Sequence, residues 1–201
     1  RSGVVGRKSL GSLPKKLVNQ WLLSASDAKL LAASIGNTPS LADVLKMTHP
    51  KPQEASREAF FGYVLGKPYQ VQALPEAVQQ LLAFRQGEQQ LVPNVPIQLL
   101  MSLPLSAAQW AQIALQGGWQ MLRMNLNTFA RYKVFELEGM TEAIAARLVD
   151  AEAIRSSRVL PYQLLMTWSA LDAGVPTAIQ QALEAALDIA LANVPELLGD
   201  V

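Results

Sequence analysis

Residues 40–68 read SLADVLKMTHPKPQEASREAFFGYVLGKP, and the punctuation of this stretch decides the fold. Ser40 can accept a hydrogen bond from the backbone three residues on while Asp43 reaches back, the reciprocal arrangement that opens a helix. The helix LADVLKMT stops at His49, which stands between Lys46 and Lys51 directly before a Pro-Lys-Pro run. Pro50 and Pro52 hold Lys51 in an extended loop, because proline fixes its own backbone and keeps the residue before it out of the helical region. A second helix, PQEASREAFFGYVLG, closes on Gly66. Two helices and a proline-stiffened connection make a helical hairpin.

The same grammar recurs along the chain. Ser12 can cap LPKKLVNQWLL, which sets Leu13, Leu17 and Trp21 on one face, and Ser26 can cap DAKLLAASI, which Gly36 ends. PEAVQQLLAFRQG closes on Gly87, and SAAQWAQIALQG opens with a Ser106–Gln109 capping box and stops at Gly117. WQMLRMNLNTFARY, TEAIAARLV, PYQLLMTWSALDAG and PTAIQQALEAALDIALANV follow as further helices. No stretch alternates over strand length and β-branched residues are sparse, so the expectation is all-α. Many short helices joined by Pro, Gly and Ser loops suit irregular HEAT-like repeats, an α-solenoid, better than a four-helix bundle. No fixed repeat period is visible. QGEQQLVPNVP, 86–96, is the most linker-like stretch, yet apolar residues on both sides argue for one continuous structure. Trp21, Trp110, Trp119 and Trp168 all fall in apolar helix patterns and are expected in the core.

Half of the 201 residues are hydrophobic, enough for a substantial core. With no cysteine, disulfides, zinc–thiolate sites and thiol nucleophiles are excluded, and a cytoplasmic location is expected. No apolar run reaches the roughly 18 residues needed to span a bilayer, so no membrane partner is expected. The first residue is Arg1, and the chain reads as a fragment of something longer. The net charge of +1 hides a polarity: residues 1–67 carry ten Lys/Arg against four Asp/Glu, residues 68–201 seven against twelve. Arg123, Arg131 and Lys133 form a second basic cluster with no acid between Glu88 and Glu136. Clustered cations attract polyanions whatever the net charge.

Catalytic templates fail. One histidine excludes HExxH and leaves Ser-His-Asp without partners, and no carboxylate pair stands out as an acid/base couple. GYVLGKP has three residues rather than four between its glycines and Pro68 where a phosphate loop needs Ser or Thr. GVVG at 3–6 matches a KH-type GxxG, but that domain needs a sheet. No catalytic residue, metal ligand or cofactor is therefore expected. What remains is a binding constellation. Lys46, His49 and Lys51 sit at one edge of the hairpin, with Lys15 and Lys16 on an early helix and Arg123, Asn125 and Arg131 in RMNLNTFAR. Ammonium groups and an imidazole suit phosphates and bases. The competing reading is structural: Lys46 and His49 equally suit the helix end through its dipole and last carbonyls, and the two asparagines suit a role bracing neighbouring helices.

Taken together, SLADVLKMTHPKP followed by a helix and RMNLNTFARYKVFE further on resemble the TROVE module of the Ro autoantigen family, including its bacterial members. VLPYQLLMTWSAL resembles the hydrophobic helix near that module's end, and GSLPKKLVNQWL its early basic helix. The resemblance covers nearly the whole chain, 1–201, and implies part of a ring of HEAT-like repeats, open here. It places the missing opening helices before the chain and a von Willebrand A domain, with its metal site, after NVPELLGDV. It further implies binding of small structured noncoding Y RNA and of the single-stranded 3′ ends of misfolded RNA, for RNA quality control, with an exoribonuclease as partner and no DNA. The family's RNA-contacting histidine maps onto His49, with Lys46 and Lys51 beside it. Gly36 and Ala32 stand where animal members carry basic residues, so that part of the RNA surface is absent or differently built. A protein-interaction scaffold binding a peptide or an enzyme is the alternative.

Overall fold

Ser40 and Asp43 form the expected capping box. The Asp43 N–H donates to Ser40 Oγ at 3.1 Å, and Asp43 Oδ2 accepts from the Ser40 N–H at 3.1 Å and from its hydroxyl at 2.7 Å. The computed structural model describes residues 11–36 and 38–193; GVVG at 3–6 and the part of NVPELLGDV beyond Asn193 lie outside them. Twelve α-helices run through the described residues in chain order: α1 (Ser12–Ser24), α2 (Asp27–Ala33), α3 (Leu41–Thr48), α4 (Ala55–Leu65), α5 (Glu76–Gln86), α6 (Ala107–Gln116), α7 (Trp119–Met124), α8 (Leu126–Arg131), α9 (Met140–Leu148), α10 (Ala151–Ser157), α11 (Pro161–Ser169) and α12 (Thr177–Ala192). Short 3-10 turns occupy 71–73, 97–99 and 134–136, and no strand occurs among the described residues. The class is all-α.

The chain divides into two compact units, residues 1–103 and 104–201. In the first, α3 packs on α4 and on α1, around Leu22, Leu30, Leu41, Leu45, Phe60, Phe61 and Val78. Gly66 takes the left-handed conformation, φ 65°, that ends a helix without a Cβ penalty. The Lys67 N–H then bonds to Gly62 O and the Gly66 N–H to Tyr63 O, the paired closure of a Schellman motif. In the second unit the long α12 packs on α9, α10 and α11, and α9 also meets α6 and α7. Buried Trp110 stacks on Tyr132 with ring centroids 4.8 Å apart.

Several sequence expectations change. Gly11, rather than Ser12, precedes α1 and no side chain caps it. The predicted face of Leu13, Leu17 and Trp21 is exposed, because α1 turns Leu22 inward instead. Trp21 and Trp168 are 44% and 46% exposed, whereas Trp110 and Trp119 are buried as expected. WQMLRMNLNTFARY is two helices, not one. Asn125 breaks it at φ −115°, ψ 15°, where its side-chain amide donates to Met121 O at 2.8 Å and competes with the backbone. A helix not expected from sequence, α10, begins where the Asp150 carboxylate accepts from the Ala153 N–H.

Candidate nucleic-acid interface

In the first unit the candidate surface is built on the end of α3. Its last residue, Thr48, is buried, and its carbonyl accepts from Asn19 Nδ2 of α1 at 3.1 Å. The Thr48 hydroxyl donates back to Val44 O at 2.8 Å. Beyond this held end the chain reverses: His49 adopts φ 50°, ψ 59°, in the left-handed region that a non-glycine residue rarely adopts. Its N–H closes onto Leu45 O at 3.0 Å while its side chain stays exposed.

A cavity of about 300 Å³ opens there, lined by His49, Pro50, Pro52, Phe61, Lys67 and Glu58 among others. Lys67 was not among the residues singled out from sequence. Its signal was the Gly-Lys-Pro that follows α4: the Schellman turn at Gly66 folds the chain back, and Gly62 lets it come close, since a Cβ there would stand 3.2 Å from Pro68 O. The stretch rejected as a phosphate loop therefore delivers a cation by another route. Glu58, in the first turn of α4, places a carboxylate in the same cavity, and Glu54 at that helix's start makes no side-chain cap. These two carboxylates make the α4 N-terminus a poor place for a phosphate. Lys46 and Lys51 are exposed on either side of His49 in sequence.

Asp43 is the acid nearest Lys46 in sequence, and it is engaged. Hydrogen bonds from the Ser40 hydroxyl and N–H, with a smaller contribution from Lys46, hold its carboxyl below the usual carboxylate range. The ion pairs among the described residues are Arg57–Asp27, Lys133–Glu136 and Arg155–Glu152; none involves Lys16, Lys46, Lys51, Lys67 or Arg131. On α1, Lys16 is exposed and Lys15 half-buried.

The second unit places the remaining candidates unequally. Arg131 is exposed at the end of α8. Asn125 is half-buried and spends its amide on its own helix, while Asn127 Nδ2 donates to Ala170 O at 2.7 Å and its Oδ1 accepts from the Asp172 N–H at 3.0 Å, bracing the exit of α11. Arg123 corrects the expectation of a surface cation. It is 8% exposed, and its guanidinium donates to Gln120 Oε1, Gln163 O and Thr167 Oγ1. Burial lowers its pKa. No three His, Cys, Asp or Glu side chains gather as for a metal ion among the described residues.

The fold has a solved counterpart: the crystal structure of the Deinococcus radiodurans RO (RSR) protein superposes with a TM-score of 0.65 over 92% of this chain, at 22% identity. The chain folds as a Ro protein does. At that identity the likeness is one of fold, and the chain spans 42% of the length of the Deinococcus protein. No family model and no curated protein matches the sequence. No helix of the Ro-type fold is long and apolar enough, among the described residues, to cross a membrane.

Proposed function

We propose that this chain is the RNA-binding helical module, TROVE-type over residues 1–201, of a Ro-type ribonucleoprotein. It takes small structured noncoding RNA of the Y class at the His49 surface, and single-stranded 3′ ends of misfolded RNA as a second ligand, in cytoplasmic RNA quality control with an exoribonuclease partner. The reading assigns no catalysis to the module and no DNA ligand. The observation that carries it is His49: exposed, held left-handed at a helix end, and sharing a cavity with Lys67, with Lys46 and Lys51 on either side in sequence in none of the ion pairs among the described residues. Lys46, Lys51, Lys67, Lys16 and Arg131 supply phosphate attraction, and His49 approaches sugar or base. Lys15 adds to the α1 edge. Asn125 and Arg123 take no part in this RNA surface, since Asn125 spends its amide on its own helix and Arg123 is buried against Gln120, Gln163 and Thr167.

The test is binding of a hairpin RNA with a single-stranded 3′ tail across a salt series. Neutralisation of about four phosphates gives a slope of log K on log salt of about −3; an affinity indifferent to salt refutes the assignment. His49→Ala with Lys51→Ala weakens binding by more than about tenfold and leaves helicity unchanged. Unchanged affinity of that double variant returns His49 to a purely structural role.

A further inference from the structure

The second unit holds a cleft that the RNA reading leaves unused. It lies between α7 and α11, with a volume of about 390 Å³, in the range of sites that take a few side chains or a small ligand. Its rim is apolar and open: Met124 is 71% exposed and Met166 65%, and Tyr162, also exposed, stands beside them. Leu165 and Trp168 extend the exposed apolar face of α11. Unbranched, polarisable methionines on an exposed face adapt to varied apolar side chains.

Arg123 lines the same cleft and is charged, more than nine-tenths buried, and without a counter-ion among the described residues. Its acceptors are the neutral Gln120 Oε1, Gln163 O and Thr167 Oγ1, and none of the ion pairs among the described residues involves it. Those contacts use Nε, both hydrogens of Nη1 and one of Nη2, which leaves one N–H unspent. A buried guanidinium in this state favours a carboxylate, which supplies the charge and the acceptor together. Arg123 is the single cation in the lining among the described residues. Residues 104–201 carry six Lys/Arg against ten Asp/Glu, so a strand charged at every nucleotide meets repulsion repeatedly whereas one carboxylate meets it once.

We propose that the cleft between α7 and α11 docks a segment of a partner protein, seating an acidic side chain on Arg123 and a neighbouring bulky apolar side chain among Met124, Tyr162 and Met166. The proposal is independent of the RNA surface. It is tested by selecting a random-peptide display library against the whole chain and synthesising the consensus. The expected consensus sets Asp or Glu beside Leu, Phe, Trp or Met. Replacing its acid by the amide lowers affinity by at least about tenfold, the scale of losing one member of a desolvated charged pair. Met166→Glu, at a position that tolerates a charge when free, lowers it similarly with helicity and hairpin-RNA affinity unchanged. A library that enriches nothing, a consensus without an acid, equal binding of the amide peptide, or indifference to Met166→Glu overturns the proposal. Displacement of the consensus peptide by an oligouridine single strand also overturns it, assigning the cleft to nucleic acid.

Discussion

His49 combines two demands that usually conflict. A helix end of this geometry favours glycine, and a side chain in the left-handed region costs about 1–2 kcal/mol. Replacing His49 by glycine is expected to raise unfolding stability by about 0.5–1 kcal/mol in denaturant titration, while lowering affinity for hairpin RNA. A variant less stable than the parent would show instead that the imidazole holds the turn. Asp43 yields a pH prediction. Its carboxyl sits below its ordinary range in the folded chain, so the support it gives α3 is present at neutral pH and is lost as the pH falls through that lowered value. In NMR titration the Ser40 amide, which donates to that carboxylate, is expected to shift with a midpoint below that of an ordinary aspartate; an unshifted midpoint removes the cap from the argument. The capping box was legible because both partners lie within four residues. The placements of Lys67 and Arg123 were not legible for the opposite reason: one reaches its cavity through a turn that folds the chain back, and the other is buried by partners some forty residues away, Gln163 and Thr167.

Among the elements, α6 shows how a helix end is finished from a distance. The guanidinium of Arg147, on α9, donates to Ala114 O and Gly117 O, taking up carbonyls that the end of α6 leaves free. Arg147→Met is expected to destabilise the protein by about 2–3 kcal/mol, the scale of charge-assisted hydrogen bonds to one buried and one half-buried residue, and Arg147→Lys to recover part of the loss; equal stability in chemical denaturation contradicts this cap. The asparagine pair is subtler. Asn127 braces the chain after α11, as one sequence reading allowed, while Asn125 divides α7 from α8, which periodicity could not reveal because the apolar pattern continues across the break. Helix starts marked by Ser26, Ser40 and Ser106 appear where the sequence put them. The exposed face of α1 does not, since apolar spacing states that a stripe exists and not what meets it.

Across the molecule the charge follows the two units: residues 1–103 carry eleven Lys/Arg against six Asp/Glu, and residues 104–201 six against ten. A polyanion approaching by diffusion is drawn to the first. Photo-crosslinking to hairpin RNA, mapped by mass spectrometry, is expected to concentrate at 40–67 and to be scarce over 136–192; an even distribution contradicts that polarity. All-α architecture was readable in the sequence because its signals are local, whereas the division after Leu103 falls just beyond the 86–96 segment that composition marked as most linker-like.

Asn19 gives the His49 surface a remote dependency. By gripping the carbonyl that precedes His49, it lets a position thirty residues upstream set the angle at which the imidazole is offered. An unbiased screen for variants that lose RNA while remaining folded should therefore return Asn19 beside His49, and its hits would form a lever rather than a footprint.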